Sequence, residues 1–181
     1  MVRQVWKAAW LVPAALAMAV SLASAQDTLT LAGSGSGAFE TPPIGGAAVG
    51  TATCTLNRVN AEIACSARVH NIVDLIAGHI HVGGPGAAGP VVINVPGLPL
   101  RTSDDFVLSW TWTPADLTLR PAQGVLKMAD LFEACSSGNC YLNFHTTANP
   151  GGEMRINLCP QGTGGRASNS FFLINVCSPG Q

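Results

Sequence analysis

Three histidines are the strongest candidates for a functional site in this sequence. His79 and His81 lie two apart in GHIHV, and His145 lies in YLNFHT. In an extended strand, side chains two apart point to the same face about 7 Å from each other. Three imidazoles from neighbouring strands form a nitrogen ligand set suited to copper or zinc. The spacing predicts that His79, His81 and His145 converge on the solvent-side face of one sheet and bind Cu or Zn.

A structural role for the same histidines is an open alternative. Their imidazoles can donate to backbone carbonyls or pair with Glu153, and so hold the strands in register. If a metal does bind, its affinity should fall as the pH drops through ~6.5, because protonated imidazole cannot ligate. The remaining histidine, His70, follows Val69 at a strand end and is interpreted as an ordinary edge residue.

Other catalytic motifs are weak in this chain. No G-x-S-x-G nucleophile elbow occurs, and no pair of carboxylates at strand spacing indicates a glycosidase. The Gly-rich stretch 83–86 lacks the lysine of a phosphate loop. Glu153 and Arg155, two apart on a strand, are predicted to form an exposed ion pair worth under ~1 kcal/mol. No catalytic constellation therefore stands out in the sequence, and a non-enzymatic role is expected more than an enzymatic one.

The candidate ligands require two polar strand faces that meet. In 141–158, polar residues alternate with Leu142 and Phe144, and the alternation resumes with Met154 and Ile156 after a turn of Asn, Pro and two glycines. This pattern predicts a hairpin with Phe144 and Ile156 on the core face. A similar alternation in 77–92 predicts the strand that carries His79 and His81.

The rest of the chain predicts an all-β fold, an antiparallel β-sandwich or flattened Greek-key barrel with one short helix. The alternating pattern of 50–69 predicts a hairpin, and that of 106–113 a strand. The spacing of Met128, Leu131, Phe132 and Cys135 predicts a helix over 125–135. In 26–49, the Gly-Ser and Pro-Pro stretches predict a mostly irregular lead-in loop, with strand only near 29–31. The stretch FFLINV at 171–176 is typical of a last strand.

All six cysteines follow the first 25 residues, an even number that favours disulfides in an exported protein. Fifteen pairings are possible, and nearest-neighbour geometry favours three. Cys54 faces Cys65 if the hairpin bend centres between Val59 and Asn60, since opposed Cβ atoms of an antiparallel pair suit a disulfide. The other predicted pairs are Cys135 with Cys140 and Cys159 with Cys177.

The first 25 residues have the pattern of a cleaved secretory signal. Arg3 and Lys7 precede an uncharged apolar run, and Ala23, Ser24 and Ala25 are small residues of the kind that signal peptidase reads. Without Arg3 and Lys7 the chain has seven basic and ten acidic residues, so a nucleic-acid partner is not expected. We expect a secreted or periplasmic protein with no membrane contact after signal cleavage.

The two motifs GHIHVGGPGAAGPVV at 78–92 and YLNFHTTANPGGEMR at 141–155 resemble the CHRD domain, a module found in chordin and in bacterial secreted proteins. The resemblance implies a β-rich extracellular module. On this interpretation 1–25 is the signal peptide, 26–49 the lead-in segment, 50–158 the CHRD-like domain, and 159–181 a C-terminal strand and tail packed on it.

Three functions are open at this point. The first is a module that binds an extracellular protein or polymer, and the second is a copper- or zinc-binding envelope protein. The third is a copper redox enzyme, since the histidine pattern is similar to the copper site of copper-zinc superoxide dismutase. The loop after the His-x-His strand, 83–90, contains no His, Asp or Cys, so the zinc subsite of that enzyme is not expected here.

Overall fold

The computed structural model of the protein describes residues 27–98 and 105–161. Nine strands lie in these residues: β1 Thr28–Ser36, β2 Val49–Asn57, β3 Glu62–His70, β4 Leu75–Val82, β5 Val91–Asn94, β6 Phe106–Trp112, β7 Cys140–Thr146, β8 Met154–Asn157 and β9 Cys159–Pro160. The same residues contain one α-helix, α1 Met128–Ser136, and 3₁₀ turns at Gly37–Phe39, Pro114–Asp116 and Pro121–Gln123. The predicted signal 1–25, the strand 171–176 and Cys177, the predicted partner of Cys159, lie outside the described residues.

The strands form one antiparallel sheet in the order β5-β4-β7-β8-β1-β2-β3-β6, with β9 paired to β1. The sheet curls until its edge strands β5 and β6 approach each other. Trp112 of β6 donates from Nε1 to the carbonyl of Asn94 on β5 at 2.7 Å. The amide of Thr118 then donates to the carbonyl of Val92 at 2.7 Å. These bonds nearly close a flattened barrel, so the predicted fold class is confirmed, and the β7–β8 hairpin is central in the sheet as expected.

The interior of the barrel is apolar, as the alternating patterns predict. On β2 and β3 every second residue is buried. Cys54 lies directly opposite Cys65 in the register, and the two form a disulfide. Phe144 and Ile156 are both 0% exposed, so the predicted core face of the β7–β8 hairpin is confirmed.

The helix α1 packs its apolar stripe onto the barrel and is joined to β7 by a disulfide between Cys135 and Cys140. The predicted stripe is buried, and it consists of Met128, Leu131, Phe132 and Cys135. The helix begins at Met128, three residues later than predicted. Its start is set by Asp130, whose carboxylate accepts from the amides of Leu126 and Lys127 at 2.9 and 3.0 Å. A carboxylate that accepts from free amides at a helix start is a stabilising cap.

The first strand was predicted largely as loop, and this prediction is wrong. β1 pairs with β2 along its whole length, from Thr28 opposite Asn57 to Ser36 opposite Val49. Its glycines serve close packing rather than a turn. A Cβ at Gly33 or Gly35 would collide with the backbone carbonyl of Asn157 or Arg155 in the adjoining strand. Glycine therefore permits β1 to lie against β8.

The polar face of the β7–β8 hairpin is buried, whereas the sequence predicted a solvent-side face. Every residue of β7 is buried. Three connecting segments cover the outer side of β4, β7 and β8, and they are 37–48, 83–90 and 147–153. Each contributes a hydrogen bond to that side: Glu40 with Asn143, Ala87 with Arg155, and Pro150 with His145. We call this covered layer the polar layer, and define it as His79, His81, Tyr141, Asn143, His145 and Arg155.

Candidate metal centre

The three candidate ligands lie together in the polar layer. His79 and His81 are on β4 and His145 is on β7, the neighbouring strand. The ring centroid of His79 is 4.7 Å from that of His145 and 5.6 Å from that of His81, and the remaining pair is 6.4 Å apart. One candidate ligand nitrogen from each residue lies within 4.8 Å of the others. The predicted convergence is confirmed, although it occurs beneath the covering segments.

Backbone carbonyls orient two of the rings. Nδ1 of His81 donates to the carbonyl of Gly89 at 2.8 Å, and Nδ1 of His145 donates to the carbonyl of Pro150 at 3.0 Å. In a neutral imidazole, a proton on Nδ1 leaves a lone pair on Nε2. Nε2 of His81 is buried without a hydrogen-bond partner among the described residues. Both rings therefore present a lone pair toward the cluster.

His79 differs from the other two histidines because no carbonyl anchors it within the described part of the chain. Its Nδ1 lies 2.9 Å from Nε2 of His145. Because Nε2 of His145 has a lone pair, Nδ1 of His79 carries the proton of this hydrogen bond in the metal-free protein. Ligation through Nδ1 would move that proton to Nε2 of the same ring. His79 is also the most exposed member of the cluster, so it is the ring with most freedom to adjust.

Burial keeps the three imidazoles neutral. It lowers the pKa of His79 from 6.5 to about 4, and electrostatic coupling to the neighbouring imidazoles of His145 and His81 adds smaller contributions in the same direction. Burial also lowers the pKa of His81 against the opposing effect of its bond to Gly89. The pKa of His145 is lowered by burial too, against its bond to Pro150. Since neutral imidazole is the ligating form, protons should compete with a metal only below the ~6.5 of an ordinary histidine.

The spacing of the nitrogens is close to that of a metal site. Nitrogens at about 2.0 Å from a tetrahedral ion lie about 3.3 Å apart. The observed separations run from 2.9 Å between His79 and His145 to at most 4.8 Å. To form a three-nitrogen site of this size, the widest separation would have to shorten by at most about 1.5 Å, and the 2.9 Å separation would have to lengthen by about 0.4 Å. Within residues 27–98 and 105–161, no other group of three or more His, Cys, Asp or Glu side chains has metal-binding geometry.

The alternative interpretation, in which the histidines only hold the strands in register, is supported in part by the contacts of the rings with backbone carbonyls. Two of the rings bond to backbone carbonyls, as that interpretation expects. Glu153 takes no part, because its Oε2 accepts from Thr146 Oγ1 at 2.9 Å and from Asn149 Nδ2 at 2.6 Å. A carbonyl partner on Nδ1 is compatible with both roles, since it leaves Nε2 available.

Arg155 is buried, and the predicted exposed ion pair with Glu153 is wrong. The side chain is among the largest that are fully buried. Its guanidinium donates to Gly84, Ala87 and Asn157, and its Cζ lies 3.5 Å from the centroid of the Tyr141 ring. The prediction failed because strand spacing alone does not show that the loop 83–90 folds over this face and supplies carbonyl acceptors.

Sequence reasoning missed one buried pair beside the cluster, Glu40 with Asn143. Asn143 lies opposite His79 in the register of β7 and β4, and its Nδ2 donates to Glu40 at 3.0 Å. Burial raises the pKa of the Glu40 carboxyl, although the bond from Asn143 and the charge of Arg155 oppose this shift. Asn143 could have been identified from the sequence by its position on the polar face of the predicted hairpin. Glu40 could not, since it lies in the stretch predicted as a lead-in loop.

His70 lies apart from the cluster, as predicted. It ends β3, and its Nδ1 is 2.9 Å from the carboxylate of Asp105. Its side chain is 38% exposed, so it is a surface histidine. This residue therefore provides a control for experiments on the three clustered histidines.

Comparison with known proteins identifies the family. The family model of the CHRD domain matches residues 31–157, which is well over half of the chain. No curated protein and no solved structure matches the chain. Among the described residues, no helix has the length and apolar character needed to cross a membrane. The matched range contains all three clustered histidines, the covering loop 83–90 and the β7–β8 hairpin, and the chain therefore belongs to the CHRD domain family.

Proposed function

We propose that the protein is an exported CHRD-type binding module that holds one copper or zinc ion on His79, His81 and His145. The observation that carries this proposal is the pair of carbonyl bonds from Nδ1 of His81 and His145. Histidines that ligate metals commonly donate their other ring N–H to a backbone carbonyl, which fixes the tautomer and the ring orientation. The lowered pKa of each of the three imidazoles supports the same role.

Copper is the stronger candidate for the ion. For nitrogen ligands, Cu(II) binds more tightly than Zn(II) in the Irving–Williams order. Three imidazoles leave a further coordination position for water or for a donor from another molecule. His79 is the most exposed ligand, so this position is expected on its side of the cluster. The bound ion would then form the contact point for an extracellular protein or polymer.

Export to an oxidising compartment is part of the proposal. Disulfides join Cys54 to Cys65 and Cys135 to Cys140, and such bonds persist mainly outside the cytosol. The secretory pattern of the first 25 residues agrees with this location.

Copper redox catalysis has less support. In a dismutase-like site, the loop after the His-x-His strand would supply further ligands. Here the loop 83–90 offers no His, Asp or Cys side chain, and its carbonyls accept from Arg155 and His81. We therefore assign the ion a binding role without turnover.

The proposal is tested by calorimetric titration of the metal-free, disulfide-bonded protein with Cu(II) and Zn(II). We expect one ion per chain, with Cu(II) bound more tightly. His81→Ala and His145→Ala should each weaken binding by more than about 100-fold, beyond the loss that follows removal of a ligand's hydrogen-bond partner.

The control is His70→Ala, which removes a histidine that lies apart from the cluster and should leave affinity unchanged. Far-UV circular dichroism must show that all three variants retain the strand spectrum. Absence of saturable binding to the wild type, or an equal loss in His70→Ala, would show that the cluster holds no metal.

A further inference from the structure

The loop 83–90 is held over the histidines by two side chains that are not candidate ligands. Arg155 donates from Nη2 to the carbonyl of Gly84 at 2.6 Å and from Nη1 to that of Ala87 at 2.9 Å. The hydroxyl of Tyr141 accepts from the amide of Gly89 at 3.0 Å. Arg155 therefore holds the first part of the loop, and Tyr141 holds its end.

Gly89 connects the loop 83–90 directly to His81, one of the candidate ligands. Its amide donates to Tyr141, and its carbonyl accepts from Nδ1 of His81 at 2.8 Å. A Cβ at Gly89 would collide with the carbonyl of Val82, so only glycine lets the loop approach β4 this closely. If the loop shifted, the acceptor that fixes the tautomer of His81 would shift with it.

The ring of Tyr141 forms a second connection to the same ligand. It stacks on the imidazole of His81, with centroids 4.7 Å apart and planes 10° from parallel. Cζ of Arg155 lies 3.5 Å from the centroid of the Tyr141 ring. Because β7 lies between β4 and β8, the ring is contacted from both neighbouring strands. Tyr141 thus contacts His81 through its ring and, by way of Gly89, through its hydroxyl.

We propose that Tyr141 and Arg155 are positioning residues that clamp the loop 83–90 over the cluster and thereby fix the ligand nitrogen of His81. This inference rests on the proposed function, since the clamp serves metal binding only if the cluster takes a metal. Loss of a hydrogen-bond partner of a ligating histidine typically weakens metal binding by about 10- to 100-fold. The clamp acts through such a partner, so a similar loss is expected when it is released.

The test is Tyr141→Phe, which keeps the stacked ring and removes the hydroxyl that holds Gly89. We expect Cu(II) affinity to fall by about 10-fold. In the metal-free protein, long-range ¹H–¹⁵N NMR should find the His81 proton on Nδ1 in the wild type and shared between both nitrogens in the variant. Ile80→Val is the matched control, because Ile80 is buried on the opposite face of β4, and it should change neither readout.

Arg155→Lys tests the other half of the clamp. Lysine keeps the charge but lacks the planar fork that reaches both carbonyls, so affinity should fall at least as far as in Tyr141→Phe. The NMR readout separates this inference from the proposed function, because it needs no metal. Unchanged His81 tautomers in Tyr141→Phe would overturn the clamp even if the wild type binds Cu(II). Altered tautomers without a loss of Cu(II) affinity would overturn its positioning role.

Discussion

Glu40 and Asn143 are joined by a buried hydrogen bond, in which Asn143 Nδ2 donates to Glu40 Oε2 at 3.0 Å. The other two oxygens of the pair, Glu40 Oε1 and Asn143 Oδ1, are buried acceptors with no donor among the described residues. Buried acceptors without a donor destabilise a fold by roughly 1–3 kcal/mol each. The pair therefore has more buried acceptors than donors. This imbalance determines how the stability of the protein should respond to mutation of the pair and to pH.

Glu40→Gln should stabilise the protein at pH 8. The amide removes the buried charge and adds a donor for the neighbouring acceptor, so the free energy of unfolding should rise by about 1 kcal/mol. Urea denaturation of the metal-free protein measures this change.

The pH dependence of this substitution has a definite sign. The pKa of Glu40 is raised above its ordinary 4.5 by burial, so the folded state holds this proton more tightly than the unfolded state. Stability that the protonated carboxyl contributes is present below pH 4.5 and is lost as the pH rises through the folded pKa. The advantage of Gln over Glu should thus be smaller at pH 5 than at pH 8. A variant less stable than the wild type at pH 8 would mean that the Glu40 carboxylate is needed, for example by Arg155.

Phe144→Ala should destabilise the barrel by about 3 to 5 kcal/mol, since it empties the space of a large side chain in the core. Phe144 is 0% exposed and faces Gly78 across the β4–β7 pair, where a missing Cβ leaves room for the ring. Thermal or urea unfolding gives the value. Phe106→Ala, at a partly exposed position of β6, is the control and should cost less. Equal losses at the two positions would contradict the assigned core.

Stability of the metal-free protein should fall between pH 6.5 and about 4 because of His79. Its pKa is lowered from 6.5 to about 4, so over this range the unfolded chain binds a proton that the folded chain does not. The imidazole is neutral in both states above this window and protonated in both below it, so the loss is confined to the window. The wild type should therefore lose stability relative to His79→Gln as the pH drops through it. Parallel pH curves for the two proteins would show that His79 is not held neutral by the fold.

Much of the architecture that brings the ligands together could be predicted from the sequence. Period-two alternation on either side of an Asn-Pro-Gly-Gly turn leaves little freedom in the pairing of β7 with β8, because a one-residue slip would move Phe144 and Ile156 from the apolar core to the polar face. The same alternation puts His145 on the face opposite Phe144. The His-x-His spacing does the same for β4, so the convergence of the three histidines followed once the two strands were neighbours.

The burial of the polar layer could not be predicted, because it depends on contacts between segments far apart in the chain. Arg155 bonds to carbonyls of the loop 83–90, and Asn143 bonds to Glu40 of the segment 37–48. Backbone acceptors have no sequence signature, so a charged residue on a strand face was interpreted as exposed. The loop prediction for β1 failed for a similar reason. A glycine that forms a turn cannot be distinguished by residue type from a glycine that lets a neighbouring strand approach closely.

The most direct test of the metal site is anomalous diffraction from crystals of the protein loaded with Cu(II) or Zn(II), collected at the absorption edge of the ion. We predict one strong anomalous peak per chain, at about 2.0–2.1 Å from Nδ1 of His79 and from Nε2 of His81 and His145. His81 and His145 should keep their carbonyl bonds to Gly89 and Pro150, because those bonds leave Nε2 free. The three-histidine metal centre would be contradicted if the strong peak lay elsewhere on the chain. It would also be contradicted if metal fully occupied surface sites while the histidine cluster showed no peak.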